Sequence, residues 1–309
     1  MTALDDSPAW AEARPTVSVL MPFLRDDPAD LLALLDREAE ALAGAVEIVV
    51  LDDGTADTAL TERLRTQVAA LALPVRLITL SVNEGRSNGR NRLAQTARGH
   101  FLLFLDSDMR PDGGRFLQTW AAVARDDSPA VMFGGFSLLQ APTDARFAVH
   151  RAMATRSECL DAGTRSLAPE KYVYTSNLLV RRDVFDQEAF DPAFTGWGWE
   201  DVEWAMRVSR RHPIRHIDNP ATHMGLDTVQ ALAGKYEQSA ANFARVVERH
   251  ADIVAAYPSF RVAKALKNVP GLPLIRAAVR AASTTEALPV AVRAFALRLY
   301  RAGLYADVV

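Results

Sequence analysis

A chain of 309 residues, 49% hydrophobic and 24% charged, has enough apolar material for a large core, either as one α/β unit or as one domain with an appendage. Its formal net charge of −3 argues against nucleic acid as a partner held by bulk positive charge, and its one cysteine, Cys159, rules out an intrachain disulfide and argues against a cysteine-based zinc site. Residues 1–15 read as an acidic N-terminal extension without the apolar core of a signal peptide. No run of about 18 apolar residues occurs anywhere, so the expectation is a cytoplasmic protein that does not cross a membrane.

In chain order, TVSVLMPF (16–23), VEIVVLDD (46–53), VRLITL (75–80) and HFLLFLDSD (100–108) are nearly continuous Val, Ile, Leu and Phe, the pattern of strands buried on both faces. Helical segments lie between them, over 27–44, 57–71 and 87–98, with Asp, Asn or Ser near their starts and Gly44 and Gly99 at or past two of their ends. This βαβαβαβ order predicts a mostly parallel sheet covered by helices, with a binding crevice at the carboxyl ends of its strands. From Ala130 the pattern is mixed: a strand-like 130–140, a helix from about 144 to 160, a strand-like 172–182, and the segment GWGWEDVEWAMRV (196–208) opening another helix. After IRHIDNPATHMG (214–225) only helical segments remain. Residues 261–309 carry eight Lys or Arg against two acids, and their prolines predict about three short helices.

Polar residues collect at the predicted strand ends. Asp52, Asp53 and Gly54 follow the second strand, and Asp106-Ser107-Asp108 follows the fourth. Carboxylates at the mouth of a sheet suit Mg²⁺ or Mn²⁺, which commonly bridge protein oxygens to phosphates; the competing reading is strand-end solvation and capping of the next helix. NEGRSNGRN (83–91) places Arg86, Arg90 and Asn91 at a helix start, where backbone N–H and guanidinium groups meet phosphate. In 196–208 three indoles mix with three carboxylates, which suits the wall of a cleft; core packing is the alternative and is assigned to Trp204.

VSVLMPFLRD, EIVVLDDGT, NEGRSNGRN, FLLFLDSD and FDPAFTGWGWEDVEWAMRV, in this order and spacing, resemble family 2 glycosyltransferases over about 16–225. The resemblance implies a GT-A fold, an α/β catalytic domain (16–225) with a mostly parallel central sheet, made of a nucleotide-binding half (16–110) and an acceptor-side half (130–225), followed by a helical C-terminal region (226–309). It implies that Pro22, Phe23 and Asp53 hold the base and ribose of a nucleotide-sugar donor, that Asp106 and Asp108 serve the donor's diphosphate, and that Asp108 is the ligand of Mn²⁺ or Mg²⁺. It adds His223 as a second metal ligand, with a structural histidine as the alternative; His212 and His216 read as surface or structural. It makes Asp201 the base that deprotonates the acceptor hydroxyl, Glu200 a partner of sugar hydroxyls, and Trp197 and Trp199 sugar-contacting indoles. Arg25 and Asp26 stand where many relatives have Asn, and Trp199 where a small residue is common. The expected activity is inverting transfer from a nucleotide diphosphate sugar, a UDP-sugar by preference, to a glycan or lipid-linked glycan in polysaccharide biosynthesis. A sugar-phosphate nucleotidyltransferase and a non-catalytic carbohydrate-binding protein are the alternatives. For 261–309 two readings stand: apolar faces packed on the catalytic domain with the cations in water, or peripheral contact with a membrane.

Overall fold

The computed structural model describes residues 2–309. Strands are β1 (Thr2–Asp6), β2 (Val17–Phe23), β3 (Val46–Asp52), β4 (Val75–Leu80), β5 (Phe101–Phe104), β6 (Met109–Pro111), β7 (Val131–Phe133), β8 (Phe136–Ser137), β9 (Leu178–Arg181), β10 (Ile214–His216) and β11 (Ala221–His223). The large sheet has the order β1-β4-β3-β2-β5-β9-β7-β10. The β4-β3-β2-β5 block is parallel, as the apolar runs require, and β10 joins β7 in parallel; β1 and β9 run antiparallel to their neighbours. The chain moves outward from β2 to β3 and β4 and then returns to place β5 on the other side of β2. That reversal opens a crevice at the carboxyl ends of β2 and β5.

Several local expectations change. The N-terminal extension contributes β1, which pairs Thr2–Asp6 with Leu80–Arg76 and covers what would otherwise be an exposed sheet edge. The predicted strand 130–140 splits at Gly134-Gly135 into β7, in the large sheet, and β8, in a second sheet of order β6-β11-β8. The helix over 27–44 breaks into Ala29–Asp36 and Ala39–Leu42. Between the pieces, buried Glu38 turns inward and accepts hydrogen bonds from the backbone N–H groups of Leu117 (3.1 Å) and Gln118 (2.9 Å), capping the helix Phe116–Asp126. A distant carboxylate thus replaces a local cap.

The sheet core is close-packed, with Trp204 and Trp120 fully buried. Two smaller apolar clusters join the C-terminal helices to the remainder: one around Val149, Leu232, Tyr236 and Leu297, the other around Met206, Phe243, Val254 and Tyr305. The tail forms three helices, Pro258–Leu266, Leu272–Thr284 and Val290–Ala306, divided near the prolines as expected. No helix among the described residues is long and apolar enough to cross a membrane.

Within β3, Glu47 is fully buried and its carboxylate accepts from Ser18 Oγ (2.6 Å), Arg98 N (2.7 Å) and Arg98 Nε (2.7 Å). Arg98 is exposed and can turn to water, so what loses its partner in the core when Glu47 is replaced is the Ser18 hydroxyl. Glu47→Leu is therefore expected to destabilise the fold by about 1–2 kcal/mol, read as a lower urea midpoint with unchanged slope; an unchanged midpoint would show the carboxylate to be dispensable.

Candidate active site

A cavity of about 630 Å³ opens at the carboxyl ends of β2, β3 and β5. Pro22, Phe23, Asp53, Arg86, Arg90, Asp106, Asp108 and Trp197 line it, together with Asp26, Ser87, Lys235 and Gln238. Eight residues singled out from sequence are thus brought to one wall. Asn91, Trp199, Glu200, Asp201 and His223 are not on that lining.

The loop after β3 shapes one side. Gly54 has φ +82°, and a Cβ there would lie 2.6 Å from Asn83 N, so only glycine fits against the loop that follows β4. Asp53 spends its carboxylate on that loop: it accepts from Glu84 N (2.7 Å), Gly85 N (3.0 Å) and Asn83 Nδ2 (3.0 Å). Burial raises its pKa while the two backbone N–H groups oppose the rise. Asp53 thereby fixes the entrance to the helix Arg86–Thr96, whose first turn faces the cavity. Gly85 stands at the helix start and supplies no side-chain cap, which leaves the N–H groups of that turn to the cavity.

Arg90, on the same helix, is 2% exposed. Its Nη2 donates to Asp106 Oδ1 (2.9 Å) and its Nη1 lies 3.6 Å from Glu200 Oε1; Ser176 Oγ donates to Asp106 Oδ2 (2.8 Å). Burial disfavours the guanidinium charge, but Asp106, Glu200 and Asp201 outweigh it and raise the pKa. Asp106 therefore holds Arg90 and has both oxygens engaged within the protein. Glu200, expected at sugar hydroxyls, is buried against Arg90 and Arg86 instead. Among buried side-chain polar atoms without a hydrogen-bond partner, Ser87 Oγ, Arg90 Nε and Arg90 Nη1 belong to cavity-lining residues. These atoms lie inside the cavity wall rather than on its surface, and the Glu200 carboxylate 3.6 Å away offsets the charge at Arg90 Nη1.

Asp108 and His223 meet because β11 pairs with β6, setting His223 opposite Met109, and because Met224 N donates to the Asp108 carbonyl (2.9 Å). His223 Nε2 is 3.2 Å from Asp108 Oδ2. Two ligands about 2.1 Å from one ion and at right angles lie about 3 Å apart, so this O,N pair fits a divalent cation. Gly225 makes the approach feasible: a Cβ there would lie 2.1 Å from Asp108 Oδ2. Burial lowers the pKa of His223, but the hydrogen bond and charge of Asp108 carry it up to about 9; burial raises that of Asp108, and His223 overrides it downward. A divalent cation held here would compete with a proton for the same two atoms.

Behind this pair, ligand-type atoms of His150, Glu158 and His223 lie within 4.8 Å of one another. Asp227 N donates to His150 Nδ1 (2.7 Å), which puts the ring proton on Nε2, and burial with the nearby His223 holds the His150 pKa down to about 4. His150 presents an N–H rather than a lone pair. It is a donor beside the site, not a third metal ligand.

Asp201 sits on the first turn of the helix Glu200–Ser209, half-buried. Burial, with the neighbouring Glu200 charge, pushes its pKa up to about 7, against the opposing pull of Arg90. Trp197 lines the cavity with its ring 5.8 Å from Lys235 Nζ. Trp199 does not reach it: its indole packs on Phe243 and donates to Tyr305 Oη (2.9 Å), in the C-terminal helices. Its backbone is left-handed (φ +76°), the conformation that favours a small residue at this position. Asn91 likewise leaves the cavity and clamps both the N–H and the carbonyl of Phe190.

These carboxylates and cations converge at the switch point of an α/β sheet, and the sequence that carries them matches a known family. The chain belongs to glycosyltransferase family 2. The protein-family model for glycosyl transferase family 2 matches residues 18–187, more than half of the chain. A stretch of 92 residues is 28% identical to an uncharacterized glycosyltransferase of Haemophilus influenzae; it covers 30% of this chain and 29% of that protein, so the chain is matched to less than a third of that relative's length. Among solved structures, the mannosyltransferase PcManGT from Pyrobaculum calidifontis, in complex with GDP-Man and Mn²⁺, is similar with a TM-score of 0.60 at 14% identity, over 95% of this chain and 86% of that one. The 1–349 portion of S. aureus TarS, in complex with UDP-GlcNAc, has a TM-score of 0.51 at 16% identity, over 93% and 89%. At such identities the likeness establishes the GT-A fold of this glycosyltransferase and no more.

Sequence reasoning missed Ser87, Lys235, Gln238, His150, Glu158 and Gly225. Asp26 stands out in the sequence only as a departure from the family pattern. Lys235 and Gln238 lie on the helix Val229–Arg249, which carries no motif and follows the matched region. Only a contact across the chain shows that helix to be part of the cavity wall.

Proposed function

We propose that this glycosyltransferase is metal-dependent and inverting, and moves a sugar from a nucleotide diphosphate sugar, a UDP-sugar by preference, to a hydroxyl of a glycan or glycolipid. The observation that carries the reading is the uncapped helix start at Arg86, Ser87 and Asn88, which shares one cavity with Asp108, the carboxylate that meets His223. A diphosphate bridging helix and metal ligands satisfies both halves of that site. Asp108 and His223 would hold Mn²⁺ or Mg²⁺, which offsets charge on the departing nucleotide. Pro22 and Phe23 offer the apolar wall for the base, with Asp53 holding the loop beside it. Arg86 and Lys235 add positive charge at the phosphates, and Trp197 an indole face for the sugar. Asp201 accepts the acceptor's proton, and Arg90 keeps Glu200 in place next to it. GDP-Man and UDP-GlcNAc in the two similar structures support a nucleotide-sugar donor as a class. The segment Leu24 to Pro28 after β2 contains no glycine, which weighs against the phosphate-cradling loop of a nucleotidyltransferase.

The testing experiment is a panel of UDP- and GDP-sugars screened by thermal melting with and without Mn²⁺. One donor is expected to raise Tm only when the metal is present, since a ligand that binds the folded state alone stabilises it by mass action. No metal-dependent shift with any nucleotide sugar would refute the reading.

A further inference from the structure

The helix Leu272–Thr284 faces the wrong way for a water-bathed surface. Leu274 (78%), Ile275 (36%), Ala277, Ala278 and Ala281 are exposed, while Arg276 and Arg280 turn inward and Ser283 is fully buried. Arg276 reaches the Gly303 carbonyl and pairs with Asp307, and Arg280 lies over the Tyr300 ring at 5.7 Å. An amphipathic surface helix normally places its apolar stripe against the core. Here part of that stripe points outward. The same helical hairpin exposes Val292 (46%) and Phe295 (66%) on Val290–Ala306. Pro258–Leu266, which packs on that last helix, exposes Val262 together with Arg261 and Lys264.

Charge identifies what covers this face. Over 258–306 one acid, Glu286, stands against eight Lys or Arg; Arg276 and Arg280 are engaged within the fold, while Arg261, Lys264 and Lys267 are exposed. A second copy of the chain would set cations against cations at the joint, which disfavours self-association. An anionic lipid surface meets both requirements, since headgroup phosphates neutralise Arg261 and Lys264 while Leu274, Ile275 and Phe295 enter the acyl boundary.

We infer that the C-terminal helices 258–306 form a docking surface for anionic membrane, holding the enzyme at the lipid face without spanning it. This goes beyond the assignment of glycosyl transfer and does not depend on it, because none of these residues lines the cavity.

The test is co-sedimentation of the full chain with phosphatidylcholine vesicles, with and without phosphatidylglycerol, at low and high salt. Binding is expected only with phosphatidylglycerol, and it weakens at high salt as screening shortens the reach of the cations. Leu274→Glu with Phe295→Glu is expected to reduce the bound fraction at least about tenfold, the consequence of removing two apolar side chains and adding two negative charges. Lys264→Glu should reduce it with no apolar change at all. Unchanged Tm in each variant shows that the fold is intact. Absence of binding to anionic vesicles at low salt would overturn the inference, as would equal binding by the variants. A concentration-dependent dimer dissolved by the same substitutions would replace the lipid with a second copy.

Discussion

Asp201→Asn is expected to lower turnover by at least about 10²-fold while leaving nucleotide-sugar binding nearly intact, because it keeps size and hydrogen-bonding reach and removes only proton affinity. The pH dependence gives the sharper test. Burial and the adjacent Glu200 charge raise the Asp201 pKa to about 7, so the carboxylate that accepts a proton predominates above that pH and the idle acid form below it. Turnover should therefore rise as pH increases through about 7, and this limb should vanish in Asp201→Asn. Glu200→Gln removes the like charge and should move the limb to lower pH. An ascending limb that persists in Asp201→Asn at saturating Mn²⁺, where proton competition at His223 no longer limits metal binding, assigns the base elsewhere. A collapse of donor affinity with normal turnover at saturation would make Asp201 a binding residue.

Chelation should abolish turnover, with Mn²⁺ or Mg²⁺ restoring it, and Asp108→Asn should lose metal binding as well as activity. The readout independent of turnover is direct titration of Mn²⁺ by electron paramagnetic resonance. Gly225→Ala adds a test that deletes no ligand. Its methyl group would fall 2.1 Å from Asp108 Oδ2, so the carboxylate has to move and the affinity for Mn²⁺ should drop by at least about tenfold, the scale of a displaced supporting group. Full activity in excess EDTA, or wild-type Mn²⁺ affinity in both variants, would show that Asp108 and His223 do not hold the ion.

The sequence by itself determined the alternation of apolar runs and helical segments, and with it the parallel β4-β3-β2-β5 block and the edge where Pro22, Asp53, Asp106 and Asp108 collect. This was legible because a strand buried on both faces has to be continuously apolar, and its polar residues can only appear where it ends. The Trp204 assignment followed from helical spacing for the same reason: position on a periodic element fixes the face.

Tertiary structure alone decided which of these polar groups remain open to a ligand. Asp53 and Asp106 read from sequence as substrate residues, yet their oxygens are occupied by Glu84 N, Gly85 N, Arg90 and Ser176, whereas the uncapped first turn of the helix Arg86–Thr96 and the Asp108 carboxylate border the cavity. Local sequence fixes backbone conformation, but hydrogen-bond partners come from segments tens of residues away, and no period encodes them. The same holds for His223, brought to Asp108 by β11–β6 pairing across more than a hundred residues, and for Trp199, whose indole is claimed by Tyr305. It holds too for the last helices, where composition showed cations among apolar residues and only packing decided that Arg276 and Arg280 turn inward while Leu274 and Phe295 face out.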